Sequence, residues 1–323
     1  MYYLGIDLGG TNIAAGIVGE KFNIVKKGSI PTLAEREPEL IIKDMADLCM
    51  GLIQECGLKM SDAAYAGLAI PGTVNYEAGC SEDCHNLPTL DQFPIVSTLK
   101  KRLNLENVYI ENDANAAAKG EAFAGAAKDC DHAIMITIGT GVGSGVIIDK
   151  KIYSGYNYSG SELGHIVIEY NGRLCGCGKK GCWEAYSSAT GLIKMTAEKL
   201  DALEAAGENG TVMHRMKSEN GGSITAKMPF DAMRTGDKAA AEVVDMYIGY
   251  LACGLVNVIN IYQPEVLCIS GGICNEGDTL MIPALKIINR EQYTRTSGVA
   301  KTQIKISALG NDAGIIGAAV LGL

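Results

Sequence analysis

The segment ELGHIVIEYNGRLCGCGKKGCWE, residues 162–184, concentrates side chains that bind metal ions. Its candidate ligands are His165, Cys175, Cys177 and Cys182, and the glycines between them let the chain wrap tightly. Three thiolates and one imidazole make the closed tetrahedral set of structural zinc sites, with no position left for an activated water. A disulfide and a chance cluster of core cysteines are the alternatives. The Cys-x-Cys spacing suits a disulfide poorly, and a core cluster does not explain the glycines and lysines. The pattern therefore predicts a structural zinc ion.

Two glutamates bracket this loop. Glu162 lies three residues before His165, and Glu184 lies two residues after Cys182. A zinc ion that fixes the loop also fixes both carboxylates, which accept hydrogen bonds from hydroxyl groups such as those of a sugar. Residue type alone favours solvated surface glutamates, so both interpretations stay open. Trp183, beside Glu184, is expected to anchor the loop in the core.

A glycine-rich turn follows the first apolar run of the chain. The sequence DLGGTN contains, in order, Asp7, Gly9, Gly10, Thr11 and Asn12. Adjacent glycines let backbone N–H groups approach a phosphate, and Thr11 adds a hydroxyl donor. Asp7 is placed to hold Mg²⁺ directly or through water. An ordinary hairpin turn with an aspartate cap is the alternative.

Two later turns offer the same backbone donors. GTGVGSG begins with Gly139, Thr140 and Gly141, and SGG ends with Gly271 and Gly272. Neither is a Walker motif, because no Gly-Lys-Ser/Thr follows, and neither opens a helix as a dinucleotide fingerprint does. Together the three turns suit a nucleoside triphosphate lying across a cleft.

The sequence ENDANAAA provides a candidate general base. Asp113 follows a strand-like run and precedes small residues that leave space for a substrate. In that position it would accept the proton of a hydroxyl group that attacks a γ-phosphate. A helix N-cap is an equally good interpretation, because Asn112 and Asp113 are both favoured capping residues.

The elements that carry these residues alternate between strands and helices, which predicts an α/β fold with largely parallel sheets. The strand–turn–strand pattern of YYLGIDLGGTNIAAGIVG recurs in HAIMITIGTGVGSGVIID. This recurrence suggests two related halves. Because no long linker separates them, they are expected to share a cleft.

Composition excludes several classes of protein. The 323 residues are 47% hydrophobic and carry a net charge of −9, which argues against a nucleic-acid surface. No apolar run reaches the about 18 residues of a membrane span, and the first residues lack the pattern of a signal peptide. We therefore expect a cytoplasmic protein with no membrane partner. The cysteines outside the zinc motif, eight of eleven, are expected to be structural.

Taken together, these motifs resemble the ROK family of sugar kinases and repressors, within the actin-like, hexokinase-type ATPases. The resemblance covers nearly the whole chain. It rests on DLGGTN, GLAIPGTVN, ENDANAAA, TIGTGVGSGVI, ELGH, CGCGKKGCWEAYSS, SGG and LGNDAGIIGAA. The combination of ELGH with the zinc spacing is the most specific part.

The resemblance implies two actin-like (ribonuclease H-like) domains flanking a cleft, with a zinc-binding loop at 165–182. Residues 1–115 and a C-terminal helix at about 308–323 would form the smaller domain, and 116–307 the larger. Asp113 would be the base. The sugar would contact Pro71, Gly72, Asn112, Glu162, His165 and Glu184. The phosphates would lie against Asp7, Gly9, Gly10, Thr11, Asn12, Gly139, Thr140 and Gly141, and the adenosine against Gly271 and Gly272.

The implied activity is transfer of a phosphoryl group from Mg²⁺-ATP to the 6-hydroxyl of a hexose, most simply glucose, by a homodimer. N-acetylmannosamine, N-acetylglucosamine, fructose and allose are alternative substrates, and a sugar sensor without activity is the rival from another class. The family's repressors carry a DNA-binding segment before the first strand, which here begins at residue 2, so a repressor is not expected. The cysteine-bearing segment 79–90 departs from the family pattern on the substrate side.

Overall fold

The computed structural model describes residues 1–82, 84, 87–294, 296 and 298–323. Its strands form two large sheets and one small hairpin. The strands are β1 (Tyr2–Leu8), β2 (Asn12–Gly19), β3 (Ile24–Pro31), β4 (Ala63–Ile70), β5 (Thr73–Asn75), β6 (Cys80–Glu82), β7 (Val108–Asn112), β8 (Ala133–Ile138), β9 (Val142–Ile148), β10 (Lys151–Ile152), β11 (Val266–Ser270) and β12 (Gln303–Ile306).

Helices cover the sheets, most of them at the sequence positions where apolar residues recur with helical spacing. The helices are α1 (Pro38–Glu55), α2 (Ile95–Leu103), α3 (Asp113–Ala124), α4 (Glu184–Ser187), α5 (Ala189–Ala205), α6 (Val212–Glu219), α7 (Met228–Arg234), α8 (Lys238–Tyr262), α9 (Asp278–Glu291) and α10 (Ala313–Ala319). The C-terminal helix is shorter than expected: α10 ends at Ala319, and only a turn follows it.

The two large sheets have the same topology. The first has the order β3-β2-β1-β4-β7, in which β1 pairs antiparallel with β2 and parallel with β4. The second has the order β10-β9-β8-β11-β12, with the same directions at the same places. The strand–turn–strand pattern that recurs in the sequence therefore also recurs in the structure. Because carboxyl ends of parallel strands meet at one edge, each sheet brings several strand-end residues together.

Helices α3 and α10 lie between the sheets and contact each other. Helix α3 also packs on β8 and β9 of the second sheet, whereas α10 packs on β1 and β4 of the first. Their backbones approach closely: a Cβ on Gly317 would lie 1.8 Å from the carbonyl oxygen of Ala116. Only glycine fits there, so this crossing is specified by sequence.

Each half has its own hydrophobic core. In the second half the core is built around α8, the one described helix long and apolar enough to cross a membrane by length and composition. Its apolar residues are mostly buried, Tyr247, Leu251 and Leu255 completely. This burial is what a central helix of a folded core shows.

Candidate active site

A cleft of about 730 Å³ lies between the two sheets, at the edge where their parallel strands end. The first sheet contributes Asp7 from β1, and α3 contributes Asp113 at its first position. The second half contributes the β8–β9 turn and the zinc-motif segment. Of the predicted site residues, the cleft brings together Asp7, Asp113, Gly139, Gly141, Glu162, His165, Glu184 and Gly271.

The two roles considered for the sequence END, general base and helix N-cap, fall to different residues. Asn112 is the N-cap of α3, because its Oδ1 accepts hydrogen bonds from the backbone N–H groups of Ala114 (3.0 Å) and Asn115 (3.2 Å). Asp113 is the first helical residue, and its carboxylate opens into the cleft while Oδ1 also accepts the Ala114 N–H at 2.8 Å. Capping by Asn112 thus leaves a second oxygen of Asp113 for chemistry.

Pro71 and Gly72 lie at the carboxyl end of β4 and hold neighbouring segments. The Gly72 carbonyl accepts a hydrogen bond from Asn112 Nδ2 at 3.1 Å, and the Pro71 carbonyl accepts one from Ser81 Oγ at 2.7 Å. Gly72 has φ of +93°, and a Cβ there would lie 2.6 Å from Ser81 Oγ. Both ends of the Asn112 amide are therefore engaged within the protein.

Within segment 79–90, Cys80 and Cys84 are buried, while Asp83, His85 and Asn86 lie outside the described residues.

A buried acid supports the strand that leads to Asp113. Glu111 is 5% exposed and accepts hydrogen bonds from the Tyr76 hydroxyl (2.5 Å) and from the Asn115 amide (3.2 Å). The Tyr76 ring packs edge-on against Tyr158, which precedes Glu162 by four residues. The hairpin of β5 and β6, the strand that leads to Asp113 and the Glu162 segment are therefore connected through one set of contacts, which the sequence motifs did not reveal.

Three acids in the cleft, Asp7, Asp113 and Glu162, have raised pKa values. Burial raises the pKa of Asp7 to about 6, and the negative charge of Asp113 adds to the rise. The cleft walls desolvate Asp113 and raise its pKa as well, although backbone and side-chain hydrogen bonds oppose the rise. The pKa of Glu162 is raised for the same reason, and the nearby His165 opposes it. A cation bound between Asp7 and Asp113 would relieve their repulsion.

Glu184 and Trp183 connect the zinc motif to the rest of the cleft. Glu184 Oε2 accepts the Val142 N–H at 2.9 Å, and a Cβ on Gly141 would lie 2.4 Å from that oxygen. Trp183 is completely buried, and its Nε1 donates to the Tyr250 carbonyl of α8 at 3.1 Å. The predicted anchoring role of Trp183 is confirmed.

The four predicted metal ligands form one cluster. The ligand atoms of His165, Cys175, Cys177 and Cys182 all lie within 4.8 Å of one another. His165 Nδ1 is 3.7 Å from Cys175 Sγ, and the sulfurs of Cys177 and Cys182 are also 3.7 Å apart. Thiolates at the usual zinc distance in a tetrahedron lie about 3.8 Å apart. The donor set therefore fits zinc in both chemistry and spacing. Because Nδ1 faces the cluster, Nε2 of His165 is the nitrogen left for the cleft.

A second pocket of about 400 Å³ adjoins the cleft through Ile138 and Gly139. The predicted Thr140 and Gly272 line it, but most of its wall was not predicted. The added residues are Ala189, Ala226, Lys227, Arg234, Ile273, Asn275 and Glu276. Its apolar surfaces and its connection to the glycine turns suit a flat heterocycle. Ala226, Lys227 and Arg234 come from the α7 region, where the sequence carries no recognisable motif.

The first glycine turn lies just outside the lining of the cleft. Among the described residues, Asp7 lines the cleft, whereas Gly9, Gly10, Thr11 and Asn12 do not. The wall beside Asp7 is instead formed by Gly310, Asn311 and Gly314. A Cβ on Gly314 would lie 2.2 Å from Asp7 Oδ2. These three residues belong to the motif LGNDAGIIGAA, so the sequence did contain a signal that could have placed them in the site.

Comparison with known proteins identifies the chain. The ROK family profile matches residues 3–323. The chain belongs to the ROK family. The glucokinase of Thermotoga maritima is 35% identical over 98% of this chain and 95% of its own length. An N-acetyl-D-glucosamine kinase of Haemophilus influenzae is 27% identical over 99% of each chain.

Solved structures of the ROK family share this fold. The glucokinase of Streptomyces griseus, crystallised with glucose and AMPPNP, superimposes with a TM-score of 0.78, with 30% identity over 99% of each chain. The expected actin-like ATPase fold is therefore confirmed.

Proposed function

We propose that this ROK protein is a sugar kinase that transfers the γ-phosphoryl group of ATP to the 6-hydroxyl of a hexose, with glucose as the first candidate. The observation that carries the proposal is the cleft itself. It joins one candidate base, Asp113, to a sugar-type set of polar groups from Glu162, His165 and Glu184. The same cleft continues past the glycine turns into the second pocket. The similarity to glucokinases supports this assignment.

In the proposed reaction Asp113 accepts the proton of the sugar hydroxyl as that oxygen attacks the γ-phosphorus. Burial raises the pKa of Asp113, which makes its carboxylate a better proton acceptor. Glu162, His165 and Glu184 bind the other hydroxyl groups and orient the reactive one. The N–H groups of the β8–β9 turn face the phosphates, and the second pocket takes the adenosine. Most of the catalysis then comes from positioning.

Two metal ions belong to the proposal. Mg²⁺ would be held through Asp7, directly or by water, and would supply positive charge to the phosphates. Zn²⁺, one per chain, would be held by His165, Cys175, Cys177 and Cys182. Its role would be structural: it would fix His165 and Glu184 at the sugar end of the cleft.

The substrate alternatives are other hexoses, and N-acetylglucosamine has specific support from the kinase relative. N-acetylmannosamine, fructose and allose are the remaining hexose alternatives. A sugar-sensing protein without turnover is the second candidate function. Asp113 argues against it, because a sensor needs no base.

We further propose a cytoplasmic homodimer with no nucleic-acid or membrane partner. Exposed apolar side chains on α8 and the zinc segment, including Met246, Ile261, Tyr170 and Leu174, offer a surface for a second copy. Light scattering after size-exclusion chromatography measures this assembly. We also propose the division of the chain into a smaller lobe (1–115 with about 308–323) and a larger one (116–307), because α10 packs on the first sheet.

The deciding experiment is an ADP-release assay with a panel of hexoses and N-acetylhexosamines. We expect turnover with glucose and weaker turnover with the others. Turnover only with N-acetylglucosamine would move the assignment to that substrate. Sugar binding by calorimetry without turnover of any sugar would favour the sensor.

A further inference from the structure

Glu121 is a buried carboxylate outside the cleft, on the last turns of α3. Its side chain is 1% exposed. Oε1 accepts hydrogen bonds from the Ser307 hydroxyl (2.5 Å) and the Leu309 N–H (2.8 Å). Oε2 accepts the N–H groups of Ala126 (2.6 Å) and Ala308 (3.2 Å). A buried charge with four donors is well satisfied, and every donor except Ala126 comes from one distant segment.

That segment leads directly into the cleft. Residues 307–309 follow β12 and are succeeded by Gly310 and Asn311, which line the cleft. Three residues further on, Gly314 touches the Asp7 carboxylate. Glu121 therefore connects the helix that begins with Asp113 to the turn that forms the opposite wall beside Asp7.

The chemistry of this contact requires a carboxylate. An ionised carboxylate only accepts hydrogen bonds, and three of its partners here are backbone N–H groups that only donate. A glutamine of the same shape would turn an NH₂ group towards some of these donors and leave buried N–H groups unpaired. The contact also requires glycine at position 125, since a Cβ there would lie 2.0 Å from Glu121 Oε2.

We propose that Glu121 is a positioning residue for the nucleotide: it holds the turn at 307–311 so that Gly310, Asn311 and Asp7 face the phosphates correctly. The proposal rests on the proposed kinase function. It predicts a defect mainly in nucleotide binding, because Glu162, His165 and Glu184, the groups proposed above to bind the sugar, lie outside α3 and outside the turn that Glu121 holds.

The test compares Glu121→Gln with Glu265→Gln. Glu265 also accepts two backbone N–H groups, those of Asp131 and His132, but at the amino ends of β8 and β11, away from the cleft. Calorimetry measures the Kd of AMP-PNP, and the ADP assay measures KM for ATP and for glucose. We expect Glu121→Gln to raise the Kd of AMP-PNP and KM for ATP about five- to tenfold, as loss of charge-assisted hydrogen bonds predicts. KM for glucose should change little, and Glu265→Gln should match wild type.

Ser307→Ala keeps the proposal testable where Glu121→Gln does not fold. It removes one donor and should raise the Kd of AMP-PNP about two- to threefold in the same direction. Equal increases in KM for ATP and glucose, or normal AMP-PNP binding by both variants, would overturn the positioning role. Wild-type protein that binds AMP-PNP but turns over no sugar would instead refute the kinase function alone, because nucleotide affinity is measured without turnover.

Discussion

Asp113 and Asp7 are two carboxylates in one cleft whose surroundings suit them to different tasks. Asp113 begins a helix that Asn112 already caps, so one of its oxygens stays available. Asp7 lies near the end of β1 against the backbone of Gly314, and burial raises its pKa to about 6. The first arrangement suits proton transfer, and the second suits a cation.

Replacing Asp113 by asparagine should separate binding from chemistry. Because a positioned base contributes about 10²–10⁴-fold, we expect kcat to fall by about that factor in Asp113→Asn. The Kd of glucose should stay within about threefold of wild type, since the amide keeps the shape of the side chain. The ADP assay and calorimetry measure the two effects. A variant with normal kcat would remove Asp113 as the base.

Asp7→Asn should lose activity but gain stability. The folded pKa of about 6 lies above the unfolded value of 3.8, so the folded protein binds this proton more tightly. Its free energy of unfolding therefore falls as pH rises through that range and stays lowered above it. The neutral amide avoids this loss, and a gain of about 1 kcal/mol at pH 7.5 would raise Tm by about 1–2 °C in a chain of this length.

The pH dependence of the stability gained in Asp7→Asn provides the control. At pH 5 the folded protein keeps Asp7 mostly protonated, so the advantage of the asparagine should be smaller than at pH 7.5. Thermal melts of both proteins at the two pH values measure it. An advantage that grows as the pH is lowered would contradict the assigned sign.

At the scale of elements, the zinc loop is expected to act through position. Cys177→Ser should reduce zinc from about one ion per chain to a small fraction, because a structural site needs its four ligands. It should lower Tm and also raise KM for glucose, since the loop carries His165 and Glu184. Elemental analysis and the ADP assay measure both. Cys130→Ser, outside the cluster, is the control; a metal-free Cys177→Ser protein with normal KM for glucose would contradict the positional role.

The β11 turn depends on one of its two glycines for stability. Gly271 has φ of +104°, and a Cβ there would lie 2.0 Å from the Ile138 carbonyl oxygen, whereas Gly272 has no atom within 4 Å of its Cβ position. We expect Gly271→Ala to lower the free energy of unfolding by about 1–3 kcal/mol. Gly272→Ala should leave it nearly unchanged. Urea denaturation measures the difference, and equal losses would refute the steric explanation.

The sequence predicts elements well where local chemistry is distinctive. The strand–turn–strand units follow from apolar patterning. The cluster of candidate metal ligands follows from the spacing of His165 and three cysteines. The walls of the second pocket do not, because Ala226, Lys227 and Arg234 reach it only through the packing of α7. The contact from Tyr76 to Glu111 is missed for the same reason: thirty-five residues separate its partners. Such contacts depend on tertiary geometry, which periodicity does not encode.

At the scale of the whole molecule, the cleft is bounded by both halves and is open. Asp113 and Glu162 line it from opposite halves, and solvent still reaches both side chains although the cleft walls partly desolvate their carboxylates. Kinases of this type exclude water during transfer by closing over the substrate. We therefore expect glucose and AMP-PNP together to reduce the radius of gyration measured by small-angle X-ray scattering. The protein without ligands is the reference, and an unchanged value with both ligands bound would contradict closure.

The repeated topology of the two sheets could be predicted from sequence, but their arrangement could not. The repeat is visible in two similar Gly-rich segments. The arrangement depends on the backbone contact of α3 with α10 at Gly317 and Ala116, which are ordinary small residues in an alanine-rich sequence.

The burial of Trp183 has a practical consequence. It is the single tryptophan of a chain that contains fourteen tyrosines, and it lies between Glu184 and helix α8. Selective excitation of its indole therefore reports on one place only, the junction of the metal loop with the larger core. The protein carries its own optical probe, with which the proposed binding of zinc and of sugar, and the unfolding of that core, can be tested without a label.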